Sequence, residues 1–224
     1  MLPTTHILKY AFSVLIFLGA PTTKAMKLKE NIPPTTLFDE VRQKYSKYNL
    51  VSIDAKRETF MRVLNKTRSN DLKIFLSSKG DLRIETLSDP KNITILSDKK
   101  ALVIDEPDPV FGGPLRVLVS KNPDIQESQS FLRLIFGSEP LGKLYRIVGG
   151  DDTTIHLRAN KEGLSVQKAS VVFDKTNKVI NQIVYWDEQD NKITIDLEKS
   201  MFSKKEKKEL FEFEIPKDAE VTEV

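Results

Sequence analysis

The chain has 224 residues, with 35 Lys and Arg against 32 Asp and Glu, two histidines and no cysteine. A charge balance this close to neutral gives no support to a nucleic-acid partner, whose phosphates demand a basic surface. Without cysteine there is no disulfide framework, no thiol nucleophile and no zinc site built from Cys and His.

Met1 to Ala25 reads as a cleavable secretory signal. His6 and Lys9 form a modest polar start, and Tyr10 to Ala20 is an apolar run. Pro21 breaks it, and Thr23 and Ala25 are small residues at the −3 and −1 positions of a cleavage site. The run is too short to anchor stably across a hydrocarbon core of about 30 Å; an uncleaved anchor is the alternative. Removing Lys9 and Lys24 with the signal leaves 33 basic and 32 acidic residues. Residues 26–224 are then expected to be one exported domain, stabilised by packing and a hydrogen-bonded sheet. With no cysteine, its new N-terminus has no site for a lipid anchor.

Met26 to Pro34 is a polar lead-in. Thr35 and Thr36 are good N-caps, and Leu37, Val41, Tyr45 and Tyr48 repeat on one helical stripe, so the spacing predicts an amphipathic helix over 37–48, closed by Asn49. The chain then reads as β. Val51–Leu64 is a long run, followed by short strands at Leu72–Leu76, Leu82–Leu87, Asn92–Leu96 and Ala101–Ile104. Turn residues separate them: Ser69-Asn70-Asp71, Ser77 to Asp81, Ser88-Asp89-Pro90 and Ser97 to Lys100. The Pro- and Gly-rich stretch 105–127 is a long loop with a short apolar run at Leu115–Val119. Ser128–Phe136 predicts a second helix stopped by Gly137. Tyr145–Val148 and Thr153–Leu157 flank the turn Gly149 to Asp152. Ser165–Phe173, Val179–Trp186, Lys192–Leu197 and Phe211–Ile215 complete the set. The result is a mainly β domain of about eleven strands with two or three short helices: one antiparallel sheet, strongly curved into an incomplete, half-closed barrel.

Little in this chain points to catalysis, and no enzyme is expected. Beyond the signal only His156 remains, in the alternating run Thr153–Arg158, where a half-exposed structural histidine is the ordinary reading. Asp151-Asp152 and Asp187-Glu188 are carboxylate pairs in turns, without sign of a pocket. No metal and no cofactor is expected. Lys204, Lys205, Lys207 and Lys208 form a basic cluster interrupted by Glu206 and Glu209, read either as a solvated turn or as a contact for an anionic surface.

The sheet itself poses a question. Its concave face is too large for its own side chains to fill. The two helices and the loop are the only material to cover it, leaving either an apolar hollow or a tightly packed core.

The order and spacing of several segments resemble the LolA family of periplasmic outer-membrane lipoprotein carriers. Leu82-Arg83-Ile84-Glu85, Asp89-Pro90 and Ile95-Leu96-Ser97-Asp98-Lys99-Lys100 stand where that family has an aromatic–Asn/Arg–Trp run, a proline and a Leu-Val-Ser-Asp-Gly-Lys turn. Phe131 to Phe136 resembles its apolar helix, and Tyr145 to Leu157 its Gly-Asp-Asp hairpin. Asp174 to Trp186 resembles the following hairpin, and Phe211 to Pro216 its closing F-x-F-x-x-P. The chain departs at Ile84, where the family has tryptophan, and at Leu82, where it has an aromatic residue. It also departs near Ser78, where a family arginine ties lid to sheet.

The resemblance implies a monomeric periplasmic carrier, not an enzyme. Its cargo would be acylated lipoproteins, received from an inner-membrane ABC lipoprotein-releasing transporter and delivered to an outer-membrane acceptor. The acceptor is itself a lipoprotein, so the lack of cysteine here points to the soluble carrier. Expected lining residues are Leu82, Ile84, Ile95 and Val103 on the sheet. Val41 and Tyr45 on the first helix, with Phe131, Leu132 and Ile135 on the second, are expected to form the lid. Arg83, at the family's Asn/Arg position, is the gating candidate. The alternatives are a sensor or adaptor on the same half-barrel, or a carrier of another lipid.

Overall fold

The computed structural model describes residues 35–97, 100–121, 127–137 and 140–224. The signal and the lead-in lie outside the described residues, as do Asp98 and Lys99. Helix α1 (Thr35–Ser46) precedes β1 (Leu50–Met61), β2 (Lys66–Ser77), β3 (Leu82–Thr86), β4 (Asn92–Leu96), β5 (Ala101–Asp105) and β6 (Arg116–Ser120). Helix α2 (Glu127–Phe136) follows. Then come β7 (Tyr145–Gly150), β8 (Thr154–Ala159), β9 (Lys168–Asp174), β10 (Val179–Trp186), β11 (Lys192–Ser203) and β12 (Glu220–Glu223).

The strands make one sheet in the order β12-β6-β5-β4-β3-β2-β1-β11-β10-β9-β8-β7. It has two free edges, so the sheet curves without closing. Three irregularities in register fall in the half from β11 to β7. They sit opposite Asp54/Ala55, at Ile180/Gln182 and at Ile147/Gly149. An extra residue in one strand bends it and increases its twist, so these bulges help curl the sheet.

Four expectations are corrected. The sheet has twelve strands among the described residues, against the eleven or so expected. Ser69-Asn70-Asp71 is no turn: β2 runs straight through it, and the hairpin turns at Arg62 to Asn65. Asn65 takes a left-handed backbone there, which asparagine tolerates well. Asn70 is buried within the strand and donates to Ser88 Oγ at 2.9 Å, so its polar side chain serves packing instead of a turn. The expected strand over Phe211–Ile215 is a short 3-10 turn at Lys208–Phe211 followed by extended chain. The last strand is β12, which joins β6 in parallel and makes the sheet mixed.

Alternation sorts the sheet into two faces. Val51, Ile53 and Ala55 of β1 face inward with Leu72, Ile74 and Leu76 of β2 and Leu82 and Ile84 of β3. Both helices pack on this inner face. Helix α1 buries Phe38, Val41 and Tyr45; Phe38 is buried where the stripe predicted Leu37, which stays half-exposed. The outer face carries a second, smaller cluster of Ile95, Leu102, Ile104 and Val117. The C-terminal segment covers it with Phe211, Phe213 and Ile215.

Ile95→Ala is expected to cost about 2–5 kcal/mol by urea denaturation, the usual range for truncating a buried Ile. It should speed amide exchange in β12 before that in α1. Faster exchange in α1 first would contradict the two-cluster arrangement.

Candidate functional site

Helix α2 lies within the concave face. Its first turn is polar, but from Phe131 to Phe136 every residue except Arg133 is apolar, and Phe131, Leu132, Leu134, Ile135 and Phe136 are all buried. Phe131 packs on Tyr145 and Tyr185, with ring centroids at 5.2 and 5.7 Å, while Phe136 meets Tyr45 of α1 at 5.7 Å. Tyr45 also reaches the sheet: its hydroxyl accepts a hydrogen bond from the Ile180 N–H at 3.4 Å. Burial pushes the Tyr45 phenol above its ordinary pKa, while hydrogen bonds with Ser200 and Ile180 pull it down.

Two arginines fasten the helices. Arg42 of α1 donates from Nε to the Gly137 carbonyl at 2.5 Å and from Nη2 to the Leu134 carbonyl at 3.5 Å. A cation there suits the negative end of the α2 dipole. Arg133 of α2 donates from Nε to the Gly80 carbonyl at 2.6 Å and from Nη1 to the Ser97 carbonyl at 3.4 Å. It thereby ties α2 to the β2–β3 and β4–β5 turns. Gly80 adopts φ +88°, a backbone that glycine takes without penalty. The tie to the sheet comes from the helix side. Ser78, near the family's arginine position, lines a 30 Å³ void beside Tyr45, Phe136 and Gly80, and its N–H donates to the Asn49 carbonyl at 3.4 Å.

Between α2 and the sheet lies a cavity of about 130 Å³. Leu72, Ile84, Val103, Leu132 and Ile195 give it apolar walls, and Arg57, Thr86, Asn92, Thr94 and Tyr185 give it polar ones. An engineered cavity of about 150 Å³ holds one benzene, so this space is much too small for a long acyl chain while α2 is seated.

The expected lining residues divide. Val41, Tyr45, Leu82, Ile84, Phe131, Leu132 and Ile135 come together in the main core. Val103 pairs with Thr94 and faces the same cavity. Ile95 is corrected: it pairs with Arg83 and belongs to the outer cluster. Arg83 is corrected as well. It donates from Nε to Glu85 Oε1 at 2.7 Å and from Nη1 to the Leu210 carbonyl at 3.0 Å. Glu85, on the same strand, orients the guanidinium, and the bond to Leu210 holds the C-terminal segment to the outer face, away from both α1 and α2.

The chemistry-bearing residues singled out from sequence lie elsewhere. His156 is exposed, its Nδ1 at 2.9 Å from Ser170 Oγ. The Asp151 carboxylate accepts from the Thr153 N–H and hydroxyl, which holds its pKa down. Asp187 accepts from the N–H groups of Gln189 and Asn191. Lys204 stacks over Tyr48 at 4.9 Å. Among the described residues, no group of three or more His, Cys, Asp or Glu could hold a metal ion, and no helix is long and apolar enough to cross a membrane.

The family model for "Outer membrane lipoprotein carrier protein LolA" matches residues 75–214, more than half of the chain. The chain belongs to the LolA family. No curated protein matches it in sequence. Among solved structures it is similar to an uncharacterized conserved protein from Thermus thermophilus (12% identity, 84% of this chain and 98% of that one, TM-score 0.49). It is also similar to a LolA superfamily protein from Nitrosomonas europaea (7%, 78% and 97%, 0.40). A third is MucB (11%, 84% and 66%, 0.41), and all three are too distant to bear on function. The LolA-family match spans β3 to β11 and α2, so it includes Arg133 but neither Arg57 nor α1.

Sequence reasoning missed the two fastening arginines, and it missed Arg57 and Tyr185 in the cavity wall. Arg133 stands alone among apolar residues in FLRLIF, and Arg57 continues the inward series Val51, Ile53, Ala55. In each case a charge on an otherwise apolar face was the available signal.

Arg133→Met should lower stability by about 1–3 kcal/mol, the usual value of a hydrogen bond to a charged group. It should also speed uptake of the neutral apolar dye N-phenyl-1-naphthylamine in stopped-flow fluorescence. An unchanged uptake rate would show that the tie does not restrain α2.

Proposed function

We propose that this chain is a periplasmic carrier that takes lipoprotein acyl chains from the inner membrane and conveys them to the outer membrane. The observation that carries the reading is α2, a helix whose apolar half, Phe131 to Phe136, is seated in the apolar concavity and tied to the sheet turns through Arg133. An acyl chain of about 15 methylenes gains roughly 12 kcal/mol on leaving water. A hollow that matched this gain and stayed open would bury nothing when empty. With α2 as a lid, the same apolar surfaces are covered in both states, and cargo exchanges for helix.

The ties suit that exchange. Gly80 and Ser97 offer only backbone carbonyls, and Arg133 can return to water when α2 lifts. The lid then consists of α1 residues Val41 and Tyr45 and α2 residues Phe131, Leu132 and Ile135. The sheet offers Leu82, Ile84 and Val103. Membership in the LolA family supports the cargo, the periplasmic location and the two membrane partners, a lipoprotein-releasing transporter and an outer-membrane acceptor.

Adding the purified protein to inner-membrane vesicles that carry an acylated lipoprotein should release a soluble one-to-one complex. Ile84→Glu should abolish release while leaving the β circular dichroism unchanged. Failure of the parent protein to release lipoprotein from competent vesicles would remove the reading. Normal release by Ile84→Glu would remove the face assignment.

A further inference from the structure

The cavity beneath α2 contains a charge that the acyl-chain reading leaves unexplained. Arg57 lies on the inner face of β1, two residues beyond Ala55, and its side chain enters the cavity wall. Its Nε is shielded from solvent and has no hydrogen-bond partner among the described residues. Its Nη2 reaches Asn70 Oδ1 at a long 3.4 Å, and Asn70 is itself committed to Ser88. No carboxylate lines the cavity, and no ion pair to Arg57 occurs among the described residues.

A largely buried guanidinium without a counter-charge is costly, and a carboxylate in hydrogen-bond range relieves that cost. Arginine is the side chain best shaped to grip one, through two parallel N–H bonds. The remaining polar wall suits the same guest. Thr86 and Thr94 are buried and bring hydroxyls, Asn92 an amide and Tyr185 a phenol. Farther along the inner face of β2, Arg68 and Lys66 are exposed, so the approach to the cavity is also basic. Burial lowers the Arg57 pKa, and Arg68 lowers it further while Tyr185 opposes them, as expected for a cation short of anions.

We propose that this cavity is a binding site for a free long-chain carboxylate, with Arg57 as counter-ion to the head group and Ile84, Val103, Leu132 and Ile195 around the first methylenes. The ester and amide links of a lipoprotein's acyl chains carry no charge and cannot neutralise Arg57, so this ligand is additional to that cargo. The inference rests on the acyl-hollow reading above, since the rest of the chain needs the space that α2 vacates.

The test compares cis-parinaric acid with its methyl ester by fluorescence, below their aggregation concentrations. The parent protein should bind the acid at least tenfold more tightly than the ester, and added salt should weaken acid binding alone. Arg57→Met should lose the preference, with its urea midpoint unchanged or raised because an unpaired buried charge is gone. Arg57→Lys should keep part of the preference. Equal binding of acid and ester by the parent protein overturns the proposal and leaves the acyl hollow standing. Binding of neither overturns both. A preference that survives in Arg57→Met places the head group elsewhere. Should that variant not fold, the parent's acid–ester ratio and its salt response still decide.

Discussion

A sheet that curls without closing cannot bury its own concave face. That constraint governs the rest of the molecule. Twelve strands place Val51, Ile53, Ile74, Leu82, Ile183 and Ile195 on one side of a single layer. Leaving them wet would cost more than the fold could tolerate. Helix α2 solves the problem by burying Phe131, Leu132, Leu134, Ile135 and Phe136, and α1 holds it through Arg42 and Tyr45. The same solution creates a functional property. A cover made of a short helix, fixed to sheet turns by one arginine, is separable from the sheet in a way that a strand in register is not.

The outer face meets the same constraint differently. β4, β5 and β6 carry Ile95, Leu102, Ile104 and Val117 on their outer side, and the C-terminal segment lies across it before adding β12 at the edge. Arg83 belongs to this arrangement. Because its contacts are to Glu85 and the Leu210 carbonyl, the outer cover is fixed independently of the inner one.

Much of this fold was legible in the sequence, for physical reasons that vary by element. Strands bounded by strong turn chemistry, such as Asn92–Leu96 and Val179–Trp186, fall where alternation and flanking turn residues put them. The β1–β2 turn was misplaced because Ser69-Asn70-Asp71 has turn composition, yet tertiary packing buries Asn70 and exposes Val63 and Leu64 at the true turn. Phe211–Ile215 alternates like a strand but lies across the outer face, where Phe211, Phe213 and Ile215 cover the smaller cluster instead of pairing in the sheet. Ile95 was assigned to the wrong face for a simpler reason. Which of two apolar sets on a strand faces the hollow depends on the register, and Ile95 shares its face with Arg83 and not with Ile84. Helix α1 spans almost the predicted stretch, but only the observed packing picks Phe38 over Leu37.

The central claim is that α2 occupies the place an acyl chain takes. Amide hydrogen exchange of the protein with and without a palmitoylated lipopeptide tests it most directly. The account predicts that the peptide accelerates exchange throughout α2 while β1, β2 and β11 stay protected. Exchange in α2 that is unchanged or slowed at saturating peptide would contradict it, because the helix would then be part of a fixed core.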